Sequence, residues 1–507
     1  MSDNNLLVSL ADIAYEPVAQ AGPQGHDEFV YVDIGSIDRD SKAIVDAKTM
    51  PAAKAPSRAK QHLKTGDVLV SMTRPNLNAV AIVPESLDEA IGSTGFHVLR
   101  SKWVVPQFLF CLVQSQQFVD AMCDVVQGAL YPAVRPADIG AFKFRLPARA
   151  EQIRIVEKLE ELLSGLDAGV AELKAAQKKL AQYRQSLLKA AVEGALTAQW
   201  RKSQPAEPLE SGAALLARIL AERRSRWETR QLAKFKAQGK TPPKDWQAKY
   251  PEPVAPDTAG LHELPQGWVW ASLDRLIDEG PQNGLYLPAT RYGHGCPILR
   301  IDDFQIGWVR SRDDLNLVDA DVETVATYAL QAGDIVINRV NSMTHLGKSL
   351  VVGESLDGVV FESNMMRSRL SPAIDIEYVG LYLGSEVGRK RLTQDAKWAV
   401  NQASINQQDV KKTPIPVPPF FEQQKISSLV ISLLAATDAQ QIAITHSLKQ
   451  SAAQRKNILQ AAFSGQLVPQ DPADEPASAL LARIRAERAE RDKSPKARKP
   501  RAAKEPA

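Results

Sequence analysis

The chain has 507 residues and a net charge of +3, and this length predicts about three structural units rather than one core. Its composition, 44% hydrophobic and 24% charged, is ordinary for a soluble globular protein, and without an apolar run of about 18 residues we expect no membrane span. The start of the chain lacks a signal-peptide pattern, and Cys111, Cys123 and Cys296 show no CxxC spacing, which favours a reducing cytoplasm over a zinc site or a disulfide framework.

The first predicted unit, residues 1–150, mixes short strand patterns with turns. The pair Gly66-Asp67 is typical of a tight turn that opens a strand over residues 68–70. The loop after this strand is rich in Arg, Asn, Ser and Thr, which hydrogen-bond base edges and phosphates. A generic polar loop is an equally good interpretation of this segment alone. The candidate DNA-binding residues in the loop are Ser71, Thr73, Arg74, Asn76 and Asn78.

A second polar stretch with an aromatic residue follows in the same unit. It supplies Gln127, Tyr131 and Arg135 as further candidates. Gln suits bidentate contacts to adenine, and Arg suits guanine or phosphate. An interpretation as turn-forming residues beside the next helix is equally open.

A long helix is predicted next, from residue 151 to about residue 200. Leucines recur every seven residues from Leu159 to Leu187, and the alternate positions complete about five heptads. At a rise of 1.5 Å per residue this helix would be about 60 Å long. Arg184 occupies a seam position, which weighs against a simple two-helix zipper and suggests a further partner.

Residues 201–262 form a predicted linker with a charged helix over residues 213–238 and a Pro-rich connector. The second predicted domain, residues 263–420, repeats the strand turn as Gly333-Asp334, again with a polar loop directly after the strand. Its candidate DNA-binding residues are Asn338, Arg339, Asn341 and Thr344 in the loop and Asn401, Gln402 and Asn406 in a later polar stretch.

A second helix is predicted over residues 421–467, with a poorer heptad seam that includes Thr437, Ser451 and Arg455. Residues 468–507 predict a basic, disordered tail, because residues 483–507 contain ten Lys or Arg against four Asp or Glu.

The chain is internally duplicated. Residues 187–196 match residues 458–467, and the same shift of 271 relates the two helix starts, Glu151-Gln152 and Glu422-Gln423. Residues 214–219 are echoed by residues 479–484. Two such helices in one chain are expected to pair antiparallel with each other; a homodimeric coiled coil between two chains is the alternative.

The common catalytic motifs that we compared with the sequence each lack a required residue or do not occur. Gly347-Lys348-Ser349 lacks the upstream glycine of a phosphate-binding loop, since that position is Ser342. The segment 417–420, Val-Pro-Pro-Phe, lacks the polar first residue of an amino-methyltransferase motif. There is no HExxH and no clustered metal-ligand spacing. We therefore predict no catalytic and no metal-binding residues.

Taken together, the sequence resembles the specificity subunits of type I restriction-modification systems. The resemblance rests on the Gly-Asp strand turns, the Pro-then-Glu-Gln helix starts, the helix ends at 193–201 and 464–467, and the segment 264–270, Leu-Pro-Gln-Gly-Trp-Val-Trp. The first domain departs from the family pattern, because it lacks this Leu-Pro-x-Gly-Trp lead.

The resemblance implies an α+β fold, with two pseudo-repeated target recognition domains joined by two long antiparallel coiled-coil helices. It implies a non-catalytic, cytoplasmic subunit that binds double-stranded DNA, each domain reading one half of a split site and the helices setting the spacer. The implied partners are two methyltransferase subunits, which use S-adenosylmethionine, and restriction subunits, which use ATP and Mg; this chain itself holds no cofactor. The open alternatives are an enzyme and a coiled-coil structural or anti-restriction protein that reads no DNA.

Overall fold

The structure, a computed structural model, describes residues 6–14, 16–23, 28–126, 132–204, 210–305, 308–399 and 402–493. The chain divides into two compact units. Residues 1–175 and 444–507 form the first unit, and residues 176–443 form the second. Both long helices are therefore shared, each contributing one part to each unit.

The first domain is built from short strands and four short helices. Its strands are β1 (Leu7–Ser9), β2 (Glu28–Val32), β3 (Ile37–Asp38), β4 (Ala43–Ile44), β5 (Lys48–Pro51), β6 (Ala59–His62), β7 (Val68–Ser71), β8 (Val80–Ile82), β9 (Ile91–Ser93), β10 (Phe96–Leu99) and β11 (Lys143–Arg145). Its helices are α1 (Leu10–Ile13), α2 (Pro106–Leu112), α3 (Gln116–Asp124) and α4 (Pro136–Gly140). The larger sheets have the strand orders β5-β2-β9-β6 and β10-β7-β8.

The first long helix, α5 (Arg149–Val192), follows this domain. A short helix, α6 (Ala198–Lys202), and the linker helix α7 (Gly212–Ala237) come next. The linker helix therefore lies within one residue of the range predicted from sequence.

The second domain repeats the first with more strands. They are β12 (Val269–Ser272), β13 (Ile277–Asn283), β14 (Tyr292–Leu299), β15 (Phe304–Gln305), β16 (Trp308–Val309), β17 (Asn316–Val318), β18 (Asp334–Asn338), β19 (Val340–Asn341), β20 (Ser349–Val351), β21 (Val360–Phe361), β22 (Met365–Leu370), β23 (Lys397–Ala399), β24 (Gln402–Ser404) and β25 (Pro414–Val417). The helices are α8 (Leu273–Leu276), α9 (Val322–Tyr328), α10 (Ile376–Gly384), α11 (Glu386–Leu392) and α12 (Gln407–Lys412), followed by the second long helix, α13 (Phe420–Phe463), and α14 (Ala477–Lys493). The main sheet has the order β13-β22-β18-β20.

The Gly-Asp turns have the same structural role in both domains. Gly66 and Gly333 have φ angles of +85° and +87°, a backbone conformation that favours glycine. The aspartate that follows each glycine is almost fully buried and accepts two hydrogen bonds from one arginine, Arg100 for Asp67 and Arg369 for Asp334. The motif thus links the start of β7 to Arg100, directly after β10, and the start of β18 to Arg369 in β22.

The Glu-Gln helix starts are also buried anchors. Gln152 accepts a hydrogen bond from the backbone N–H of Val105 at 3.0 Å, and the equivalent Gln423 accepts one from Asp375 at 2.9 Å. Each glutamine also donates to the carbonyl oxygen of the proline five residues earlier. These bonds fix each long helix to the helix pair of its own domain.

The two long helices run antiparallel, because the early part of α5 contacts the late part of α13 in the first unit and the reverse holds in the second. The heptad seam is confirmed, since Leu159, Leu187 and Val430 are buried and the other seam positions of both helices are at least half-buried. Of the described helices, α13 alone is long and apolar enough to cross a membrane by length and composition, a criterion that packed helices of soluble proteins also meet. The fold class expected from the sequence is therefore confirmed. Helix α13 is apolar over a longer stretch than we expected from the sequence.

Two equivalent ion pairs join the helices. Arg184 pairs with Asp438 at 2.6 Å in the second unit, and Arg455 pairs with Asp167 in the first. Both members of the second pair lie 271 residues from their counterparts in the first. Each of these arginines is therefore neutralised by an aspartate of the other helix, which accounts for a charged residue at a seam position. The further partner expected from these arginines stays a prediction.

The tail prediction is wrong for residues 477–493, which form α14. Leu480, Leu481 and Ile484 lie at helical spacing and are buried in the core of the first unit. Their counterparts in α7, Leu215, Leu216 and Ile219, are buried in the core of the second unit. The short sequence echo thus marks two helices that cover equivalent sites, and the apolar stripe outweighs the charge of the segment.

Candidate nucleic-acid interface

The two polar stretches of the first domain, separated by about 60 residues in the sequence, meet through their backbones. The N–H of Arg74 donates to the carbonyl of Pro132 at 2.8 Å, and the N–H of Val134 donates to that of Met72 at 2.9 Å. Thr73 and Ala133 form an isolated antiparallel bridge. The loop after β7 and the segment before α4 therefore form one surface.

The second domain brings the corresponding stretches together in the same way. Strand β19 pairs antiparallel with β24, placing Asn341 opposite Ala403, and β23 extends this small sheet. The N–H of Ile405 donates to the carbonyl of Arg339 at 2.9 Å. Both domains thus present a loop after a buried strand, joined to a segment that leads into a short helix.

The first loop offers three exposed polar side chains, Thr73, Arg74 and Asn76. Arg74 has a φ of +50°, in the left-handed region, and no hydrogen bond or ion pair of its guanidinium occurs within the described residues. Ser71 is different, because it is 5% exposed and its hydroxyl interacts with Thr73.

Asn78 is held at the base of this loop. Its side-chain amide donates to the carbonyl of Val113 at 2.8 Å, while Lys42 donates to its side-chain and backbone oxygens at 3.1 and 2.6 Å. Burial lowers the pKa of Lys42 to about 8, and the nearby charge of Arg455 acts in the same direction. Lys42 was missed in the sequence, since it lies 36 residues before its partner and no local motif marks it.

The loop of the second domain is more strongly tied to its surroundings. The guanidinium of Arg339 donates to the carbonyl of Ser363 at 2.9 Å, and Asn341 accepts a bond from the N–H of Ser342. Thr344 is exposed and shares contacts with Ser342 and His345. Gln402 is exposed, and no hydrogen bond of its side chain occurs within the described residues.

Asn338 lies below this loop, fully buried at the end of β18. Neither atom of its side-chain amide has a hydrogen-bond partner within the described residues. Its counterpart at the shift of 267 is Ser71. Both residues are buried at the end of the strand that leads into the loop, and neither belongs to the exposed surface of the loop.

Arg135 and Asn406 are equivalent residues that cap the short helices α4 and α12. Arg135 is paired with Asp138 at 2.9 Å, and the Asn406 side chain accepts bonds from the N–H groups of Gln408 and Asp409. A local structural role therefore accounts for their positions. Gln127, Tyr131 and Asn401 lie outside the described residues.

Trp398 was not among the candidate residues predicted from the sequence. It is 72% exposed on the edge strand β23, two strands away from Asn341. Its only sequence signal was an aromatic residue within a polar stretch, and in the first domain the equivalent position lies outside the described residues.

No group of three or more His, Cys, Asp or Glu side chains suited to a metal ion occurs in the described part of the chain. The interface instead combines exposed amide, hydroxyl and guanidinium groups on two equivalent surfaces. This chemistry is suited to hydrogen-bond recognition of base edges and phosphates.

The fold and these surfaces define a duplicated recognition protein with two equivalent polar interfaces and a pair of long helices. The family model of the type I restriction modification DNA specificity domain matches residues 294–451. The type I restriction enzyme EcoKI specificity subunit of Escherichia coli K12 is 25% identical over 403 residues, which cover 77% of this chain and 74% of the relative. The StySPI specificity subunit of Salmonella potsdam is 26% identical over 398 residues, covering 76% and 73%.

A solved structure that describes the structural basis of complex assembly and conformational transition of the type I R-M system matches this chain with a TM-score of 0.67. It is 22% identical and covers 92% of this chain and 99% of that chain, so it supports the fold. Together with the family match, these likenesses show that the chain is similar to the type I restriction-modification specificity subunits. Members of this family are non-catalytic and act in DNA target recognition with methyltransferase and restriction partners.

Proposed function

We propose that each domain reads one half of a split DNA sequence through the surface formed by its loop and the adjoining segment. The observation that carries the proposal is the equivalence of the two surfaces, each joined by backbone hydrogen bonds at matching positions. A merely solvated polar loop would have no reason to recur in this arrangement in two otherwise divergent domains.

Within these surfaces we assign base or phosphate contacts to the exposed groups of Thr73, Arg74 and Asn76 in the first domain. In the second domain we assign them to Arg339, Asn341, Thr344 and Gln402. We assign a structural role to Ser71 and Asn338, which are buried, and to Asn78, whose amide is bonded to Val113 outside the loop. Arg135 and Asn406 are assigned the same kind of role, because their side chains cap the short helices.

The long helices are proposed to set the spacing between the half-sites. Each has 44 residues, which corresponds to about 66 Å at a rise of 1.5 Å per residue. Their outer faces would bind two methyltransferase subunits that use S-adenosylmethionine. Restriction subunits with ATP and Mg would complete a cytoplasmic complex, and this chain would hold no cofactor of its own.

The first test is co-expression with the partner methyltransferase, followed by sequencing of adenine methylation in the host DNA. We expect a split motif with a fixed spacer that is absent when this chain is omitted. A soluble, assembled complex that methylates nothing would contradict DNA reading by this chain. A homodimer without DNA affinity in the presence of the methyltransferase would favour the structural or anti-restriction alternative.

Arg74→Ala and Arg339→Ala form a matched pair of variants for this proposal. If each arginine makes a bidentate base contact, each variant should weaken binding by about 1–3 kcal/mol and relax specificity at one position of its own half-site. The measurement is the affinity of the complex for duplexes with single base changes in either half. Each variant is the control for the other, and relaxation in the same half by both would contradict the assignment.

A further inference from the structure

The linker helix α7 carries two kinds of positive charge, and only one of them is neutralised. All five arginines from Arg218 to Arg230 have a carboxylate partner, for example Arg226 with Asp278 at 2.9 Å and Arg230 with Glu279 at 3.3 Å. Arg223, Arg226 and Arg230 dock the helix on the second domain. The other two arginines pair with glutamates of the linker itself.

The segment that follows has the opposite character. Residues 231–249 contain five lysines and one acidic residue, Asp245. The lysines are all exposed, and none has an ion-pair partner among the residues that the structure describes. We call this set the lysine lobe; it consists of Lys234, Lys236, Lys240, Lys244 and Lys249.

The lobe is an ordered surface rather than a loose tail. Gly239, with a φ of +63°, ends the helix, and the N–H of Lys240 donates back to the carbonyl of Phe235 at 2.9 Å. The chain then returns along the helix, so that Trp246 stacks on Trp227 with ring centroids 5.8 Å apart. Tyr250 packs on the same tryptophan at 5.3 Å and is 9% exposed.

The helix dipole explains only part of this charge. Lys234 and Lys236 lie in the last turn of α7, where a cation interacts favourably with the carbonyl end of the helix. Lys240, Lys244 and Lys249 lie beyond the helix, on the returning segment. Asp245 is the one acidic residue of this segment, so the lysines repel one another on an ordered surface with little counter-charge, which favours an anionic partner.

The direction of α7 relates the lobe to the proposed reading surface of the same unit. Strand β13 runs antiparallel to β22, which runs antiparallel to β18, so β13 and β18 share one direction. As α7 advances from Arg223 to Arg230, its partners advance from Asp274 in α8 to Glu279 in β13. Glu279 lies opposite Arg369, which lies opposite Asp334 at the start of β18, so the last turn of α7 continues from there in the direction of the loop after β18. The segment after Gly239 then runs back along the helix, because Trp246 and Tyr250 pack on Trp227.

We propose that the lysine lobe binds the phosphate backbone of DNA beside the half-site that the second domain reads. This inference rests on the proposed function and adds a sequence-independent contact to it. Lysines that neutralise phosphates release counterions, so each contact contributes about 0.9 to the slope of log K against log[salt].

The test compares two variants in the full complex with the methyltransferase. One carries Lys234→Gln, Lys236→Gln, Lys240→Gln and Lys244→Gln, and the other carries arginine at the same four positions. Affinity is measured by fluorescence anisotropy over a range of KCl concentrations, with one duplex that contains the methylated motif and one that does not.

We expect the glutamine variant to lower the slope of log K against log[salt] by about 2–4 on both duplexes. The sequence motif that the complex methylates, and the ratio of its affinities for the two duplexes, should stay unchanged. The arginine variant should keep the wild-type slope. An unchanged slope in the glutamine variant would overturn the proposal. Loss of complex assembly in that variant alone would assign the lobe to the methyltransferase instead and would equally overturn it.

The two proposals fail separately. Absence of a methylated motif would refute DNA reading by the domains, whereas the salt slope on the duplex without the motif tests the lobe by itself. Equal thermal unfolding midpoints for the wild type and both variants are expected, because the substituted side chains are exposed.

Discussion

Replacing Arg201 with alanine should destabilise the second unit by about 3–5 kcal/mol, because a buried carboxylate would lose its cation. Glu422, at the start of α13, is 1% exposed. It accepts bonds from Arg201 at 2.7 Å, from the hydroxyl of Thr197 at 2.7 Å and from the indole N–H of Trp268 at 2.9 Å. Thr197 and Trp268 are neutral, so they cannot replace the charge of the guanidinium.

The measurement is urea unfolding of the full chain followed by circular dichroism, with the transition of the second unit compared between variants. Arg218→Ala is the control, since this arginine is paired on the surface and its loss should cost at most about 1 kcal/mol. Substituting both Arg201→Met and Glu422→Leu should recover much of the stability. An equal, small effect of Arg201→Ala and Arg218→Ala would contradict the buried-pair argument.

In the first unit a different arginine neutralises the buried glutamate at the start of the long helix. Glu151, at the start of α5, is paired with Arg145 at 2.8 Å, six residues earlier in the sequence. In both units a helix-end glycine lies against the arginine, since a side chain at Gly465 or Gly194 would meet Arg145 or Arg201 at about 3 Å. The sequence repeat predicts the glutamate and the glycine, but not the arginine, because its position in the chain differs between the repeats.

The features that could be predicted from sequence are those with a fixed local pattern. The heptads of α5 and α13, the Gly-Asp turns and the duplication each depend on spacing within a short segment or on one constant shift. The capping roles of Arg135 and Asn406 also had a local signal, an aspartate three residues later in both cases. From the sequence, base contact and a structural role beside the next helix remained equally open for these two residues.

The features that could not be predicted depend on long-range contacts. Asn78 has a suitable side chain for adenine, yet its amide is engaged by Lys42 and Val113 from distant parts of the chain. Asn338 is fully buried although it directly precedes an exposed loop. In each case the residue type and the local pattern are the same for a buried or bonded side chain and for a free one.

The second large effect on stability is expected for helix α14. In the sequence this segment looks like a charged tail, but in the structure it packs in the core of the first unit. Ile484 is fully buried among the core residues of the first unit. Ile484→Ala should therefore destabilise that unit by about 2–5 kcal/mol, through the lost apolar burial and the cavity left behind. Ile219→Ala, at the equivalent site of α7, should cost a similar amount in the second unit.

The measurement is again urea unfolding of the full chain, with Arg485→Ala as the control on an exposed face of α14 and an expected change within about 0.5 kcal/mol. A disordered tail would leave stability unchanged in both variants, so equal unfolding of Ile484→Ala and Arg485→Ala would contradict the docking of α14. The pairing of α14 with the first domain and of α7 with the second also gives the echo between residues 214–219 and 479–484 its physical cause. Each domain needs a helix to cover the same apolar site, and the chain supplies it from the segment that follows the long helix of the other repeat.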